Sequence, residues 1–114
     1  MSGLRMTPQT EAVLKEMLLK PTQHHYGLTL GKAAELPSGT IHPILARLER
    51  SGIVESFWED PEEHAAASPS RPRRRYYKFT TNGAEQARVS IAEAYARRAR
   101  RAGVKLTPSP STGQ

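Results

Sequence analysis

Apolar side chains recur at helical spacing over residues 8–20, where Thr10, Val13, Leu14, Met17 and Leu18 share a face and leave Glu11, Lys15 and Glu16 mostly to solvent. Thr7 stands where a cap belongs, Pro8 suits the first helical position, and Pro21 stops the run. Pro21 to His25 reads as a loop. A short second helix fits residues 27–35, with Leu28, Leu30, Ala33 and Ala34 as its apolar members. It must end near Leu36-Pro37, because the residue before a proline is pushed out of helical angles. The best-defined stripe is Ile41, Ile44, Leu45 and Leu48, which predicts a third helix over residues 38–51, stopped by Gly52. Its start is irregular. Pro43 lacks an amide hydrogen and is comfortable only in a first turn, which favours Thr40 over Ser38 as the cap.

The period then changes from 3.6 to 2. Residues 53–59 and 75–80 are rich in β-branched and aromatic side chains and read as two strands of one hairpin. Asp60 to Arg74, with three prolines, three alanines and two serines, offers nothing to a core and reads as a loop at the hairpin tip. A fourth helix covers about residues 81–101, with Thr80 or Asn82 as its cap and capping-box spacing from Asn82 to Glu85. The chain is therefore expected to be mainly α with a small β-hairpin, a winged helix-turn-helix. Residues 1–80 would form the DNA-binding domain, residues 81–102 a C-terminal dimerisation helix, and residues 103–114 a disordered tail.

Charge sharpens this picture. Residues 1–60 carry six basic and seven acidic groups, whereas residues 61–114 carry eleven basic and four acidic. The excess lies in Arg71, Arg73, Arg74 and Arg75, and again in Arg97, Arg98, Arg100 and Arg101, a distribution that favours a polyanion such as nucleic acid. A chain of 114 residues without cysteine holds one modest core and no thiol chemistry. No apolar run is long enough to span a membrane, and no signal peptide opens the chain, so a cytoplasmic, nucleoid-associated setting is expected. His24, His25, His42 and His64 lack metal-ligand spacing, no catalytic motif is present, and no cofactor is expected.

The aliphatic stripe of the third helix turns its other side outward, and such a helix fits a major groove with its N-terminal residues nearest the bases. The candidate DNA contacts are Ser38, Gly39, Thr40, His42, Pro43 and Arg47 on that helix, Lys32 before it, and Arg71, Arg73, Arg74, Arg75 and Tyr77 on the wing. The helix would read bases or groove shape, and the wing would supply salt-dependent affinity. Trp58 and Tyr76 are expected to pack the wing. On the fourth helix the small stripe Ala84, Ala87, Ile91 and Ala94, with Tyr95 beside it, points to a partner helix or to simple packing on the first helix. The dimerisation set also takes Val13 and Met17 from the first helix. The partners expected are double-stranded DNA and a second copy of the chain. The alternative is a winged-helix protein-interaction module that does not bind DNA.

Tyr26-Gly27-Leu28, the run Leu36 to Gly52 containing Ser38-Gly39-Thr40, Glu55 to Glu59, and Pro72 to Thr80 containing Arg75-Tyr76-Tyr77 together resemble the PadR family of bacterial transcriptional regulators. The resemblance covers roughly residues 8–95 and is closest to the branch with a short C-terminal part. It implies a winged-helix homodimer, usually a repressor, whose last helix packs on the partner's N-terminal region. It also implies, for some members, release of DNA on binding a small effector, here at the dimer interface. His42 stands where the family commonly has tyrosine.

Overall fold

The computed structural model describes residues 4–67 and 71–103. The elements follow in the order α1 (Pro8–Leu19), β1 (His25–Tyr26), α2 (Gly27–Ala34), α3 (Ser38–Arg50), β2 (Val54–Trp58), α4 (Pro61–Ala67), β3 (Arg75–Phe79) and α5 (Gly83–Arg101). Helices α1, α2 and α3 pack together, with the antiparallel sheet β1-β3-β2 against α3 and α2, and α5 laid across α1. This is the winged helix-turn-helix read from the sequence, and no described helix is long and apolar enough to cross a membrane.

Local signals set most boundaries. Thr7 caps α1 by accepting a hydrogen bond from the Thr10 amide at 3.1 Å, satisfying a donor that the helix itself cannot. Helix α2 ends at Glu35, which takes left-handed angles (φ 58°, ψ 45°) while the Leu36 amide donates back to the Gly31 carbonyl at 2.8 Å. Helix α3 starts at Ser38, as the 38–51 range expects, but Pro37 and not Thr40 stands in the cap position. The Pro37 carbonyl accepts from both the Thr40 and Ile41 amides, so the first turn is drawn tight two residues earlier than the proline argument allows. Pro43 therefore sits inside the helix on its exposed side.

Val13, Leu14, Met17, Ile41, Leu45 and Leu48 form the centre of the core, closed by Val54, Tyr77 and Phe79 from the sheet and Ala87 from α5. Truncating one of these large aliphatics, such as Leu45, to alanine removes about 2–5 kcal/mol. Two elements depart from the sequence reading. The two-residue β1 carries no periodicity of its own and exists because β3 offers a free edge, pairing His25 with Tyr77 and Tyr26 with Tyr76. Residues 61–67, read as loop, form α4. Asp60 accepts from the Glu63 amide at 3.0 Å, Pro61 opens the helix and Glu62 and Glu63 fill its first turn. It buries no residue, so the absence of an apolar stripe hid it.

Helix α5 starts at Gly83, and Asn82 makes no side-chain capping bond; the capping box expected there is absent. The Thr80 hydroxyl donates instead to the Gly52 carbonyl at 2.7 Å, tying the end of β3 to the turn after α3. The dimerisation set is also placed differently. Val13, Met17 and Ala87 are wholly buried and Ala94 is 3% exposed, so these four are consumed inside the chain's own core or beneath its own α1. Ala84 and Ile91 pack partly against the same core, and only Tyr95, 60% exposed, keeps an open face. Small side chains let α5 approach α1 closely, where Arg98 meets Glu11 at 3.1 Å. Lys15 and Arg98 together hold the Glu11 carboxyl below its ordinary range. Within the tail expected over residues 103–114, residues 104–114 lie outside the described residues.

Candidate nucleic-acid interface

Ile41, Ile44, Leu45 and Leu48 hold α3 against the core, and the opposite side of the helix is open. Ser38, Gly39, His42, Pro43 and Arg50 are exposed, with Thr40, Ala46 and Arg47 half-buried at the edges. This surface is nearly free of charge over its first two turns, and its first-turn amides point outward along a positive helix end. Lys32 is exposed in the last turn of α2. His42 lies beside the start of α2: a Cβ on Gly27 would stand 3.2 Å from its Cε1, so the glycine makes room for the ring. Arg47 and Arg50 also border a cleft of about 810 Å³ that runs between α3, α5 and Leu4, with Ile53 and Val89 on its apolar side.

The wing is fastened to α3 by a short relay. Arg75 donates to the Ser56 hydroxyl at 2.8 Å, and that hydroxyl donates to the Glu49 carboxylate of α3 at 2.7 Å. Alternation along the strands gives the ribbon two unlike faces. Val54, Tyr77, Phe79 and His25 line the core side. Phe57, Tyr76 and Tyr26 line the other, with His24 edge-on to Phe57 at 4.7 Å and Phe57 stacked on Tyr76 at 5.8 Å. Tyr77, expected among the DNA contacts, is thereby corrected: it is 7% exposed and belongs to the core. Tyr76 packs the wing as expected, and Trp58 lies against the wing arginines Arg73 and Arg75 while keeping much of its ring open. It is 53% exposed beyond the last core residue of its strand.

The four wing arginines are not equivalent. Arg71 gives both terminal nitrogens to Glu59, at 2.8 and 2.7 Å, and its charge is already matched. The same guanidinium holds the Glu59 carboxyl down to about 2, helped by the Arg74 amide at 3.1 Å and opposed by desolvation. Arg74 lies over the Tyr26 ring at 4.5 Å, its Nε buried without a partner. Arg73 and Arg75 both approach Trp58, and neither has a carboxylate partner among the described residues. Sequence alone treats the four as one run. Two cations at the wing and a bare helix face beside them make a surface that suits the backbone and groove of a duplex. Among the described residues no group of three or more metal-ligating side chains is assembled.

The profile of the transcriptional regulator PadR-like family matches residues 17–89, which takes in the end of α1, α2, α3, the wing and the first seven residues of α5. Several solved structures share the fold. A probable transcriptional regulator from Pseudomonas aeruginosa is 19% identical, with a TM-score of 0.62 over 91% of this chain and 70% of that one. A transcriptional regulator homologue from Pyrococcus horikoshii OT3 is 18% identical, with a TM-score of 0.58 over 79% of each chain. The PcaV transcriptional regulator from Streptomyces coelicolor, solved with its natural ligand, is 22% identical, with a TM-score of 0.57 over 99% of this chain and 71% of that one. No curated protein matches the chain. These similar proteins are regulators and not enzymes, and with the profile covering most of the folded part, the chain belongs to the PadR-like family of transcriptional regulators.

Proposed function

We propose that this protein binds a specific duplex DNA site as a homodimer and represses transcription there. The observation that carries this reading is the side-by-side placement of the open α3 face and a wing whose Arg73 and Arg75 lack carboxylate partners. In it, residues 1–80 are the DNA-binding unit and residues 81–102 the dimerisation helix. Ser38, Gly39, Thr40, His42 and Pro43 enter the major groove, Arg47 and Lys32 meet flanking phosphates, and Arg73 and Arg75 meet the backbone or minor groove at the wing. Arg71 and Arg74 hold the wing in shape and contribute field more than contact.

The second copy docks on what α5 leaves open. Tyr95 and Val89 are exposed on α5, and Leu19 at the end of α1. Dimer symmetry places two α3 helices on half-sites of an imperfect palindrome, about 34–36 Å apart for one turn of duplex. A small-molecule effector belongs to the same reading, and the cleft bordered by Arg47 and Arg50 offers it room next to the DNA-reading helix.

Binding to the DNA upstream of its own gene, measured across salt concentration against competitor DNA, tests this. A slope of about −0.9 per phosphate contact, several units in total, and preference over competitor are expected. Changing Thr40 or His42 should alter preference among sequences, whereas replacing Arg73 and Arg75 with alanine should weaken all of them. A flat salt response without preference overturns the reading and leaves a protein-interaction module.

A further inference from the structure

We propose that Trp58 is a positioning residue of the wing, its exposed indole gathering the Arg73 and Arg75 guanidiniums into an unneutralised pair that takes DNA phosphates; this rests on the duplex-DNA reading above. Trp58 and Arg75 are cross-strand partners, so their side chains leave the ribbon on one face. The Arg75 guanidinium carbon lies 4.9 Å from the indole centroid, and that of Arg73, two residues earlier, lies 5.8 Å away. Arg74, between them, turns to the opposite face and covers Tyr26. Ser56 precedes Trp58 by two residues and bonds Glu49, so the face that carries the indole is the one turned toward α3.

Charge decides what this arrangement can hold. Two guanidiniums over one ring repel each other, and the negative face of an indole, the strongest cation–π partner among the side chains, offsets part of that repulsion. A carboxylate would complete the neutralisation, but Glu59 is already engaged by both nitrogens of Arg71. Among the described residues no other acid pairs with Arg73 or Arg75. The ring itself adds little to the core, being more than half exposed. What is left is an aromatic plate beside two cations with no direct carboxylate partner, Arg75 reaching the Glu49 carboxylate only through the Ser56 hydroxyl, and this arrangement is matched to a polyanion.

Trp58 is the chain's sole tryptophan, so its emission reports this site directly. The full chain is titrated with a mixed-sequence duplex while indole emission and the anisotropy of labelled DNA are followed together. Emission should change in step with binding and return as salt displaces the DNA. Trp58→Phe should keep most of the affinity, whereas Trp58→Leu and Trp58→Ala should each weaken it roughly tenfold. In the Trp58→Ala background, Arg73→Ala and Arg75→Ala should cost less than in the parent, because the pair is already loosened. Leucine serving as well as phenylalanine, additive losses, or unchanged emission at saturating DNA would overturn the positioning role while leaving DNA binding intact. Failure of the parent to bind any duplex overturns both.

Discussion

Glu59 and Arg71, twelve residues apart in the chain, meet through two parallel hydrogen bonds of 2.8 and 2.7 Å and close the wing at its loop end, just past the last strand pair. The pairing is bidentate and largely shielded, with the carboxylate side chain 7% exposed. Its consequence is that the most N-terminal wing arginine is a clasp, with α4 lying in the sequence between the clasped residues.

The clasp should fail in acid. The folded Glu59 carboxyl titrates at about 2, below its ordinary 4.5, so its contribution is fully present above about 4.5 and is lost as pH falls through about 2. Protection of the Arg74 amide, which donates to Glu59, relative to its intrinsic exchange rate at each pH, should fall over that window. In Glu59→Gln it should be low already at neutral pH. Protection that is the same in both proteins would show the wing held by something else.

His25 should make the fold sensitive at milder pH. Burial disfavours its charged form and lowers its pKa below the ordinary 6.5, outweighing the bond between Nε2 and the Lys20 carbonyl at 3.1 Å. A lowered folded pKa means stability is highest above about 6.5 and falls as pH drops below it. The melting temperature should decline as pH falls below about 6.5, and the decline should flatten in His25→Gln, which keeps a donor without titrating. Parallel curves for the two proteins would place the acid sensitivity elsewhere.

Gly83 tolerates no side chain. A Cβ there would stand 2.0 Å from the Ile53 carbonyl oxygen and 2.9 Å from the Thr80 hydroxyl, so α5 enters the fold against bare backbone. Gly83→Ala should cost about 2–3 kcal/mol, lowering the melting temperature by roughly 10 °C or more. An unchanged melt would mean that α5 can shift its start without penalty.

Glu35 offers the opposite result. It is exposed and held at φ 58°, where a side chain is strained and glycine is not. Glu35→Gly should stabilise by about 0.5 kcal/mol after the loss of unfolded-state restriction is counted, seen as a rise of roughly 2–4 °C on melting. A fall instead would mean that the turn between α2 and α3 depends on the glutamate side chain.

Where local chemistry and periodicity agree, the chain announces its own structure. Thr7, Pro8 and Pro21 bracket α1, the stripe from Ile41 to Leu48 orients α3, and the change of period near Ile53 marks the wing. Each depends on neighbours within a few residues, so no knowledge of the rest of the fold is required. The same holds for the outward side of α3, since the buried stripe dictates it. Capping residues around Asp60 carried the signal for α4 as well, overshadowed by a span without core side chains.

Other features depend on which distant segments come to lie together. Nothing in His25-Tyr26 predicts a strand until β3 presents an unpaired edge. The small stripe of α5 points to a partner helix ahead of the chain's own α1, and only the fold shows Ala87 and Ala94 buried within this chain. Four arginines in a row are alike as letters. Their division into a clasp, a ring-stacked spacer and an unpaired couple follows from Glu59, Tyr26 and Trp58, brought to them only by strand register.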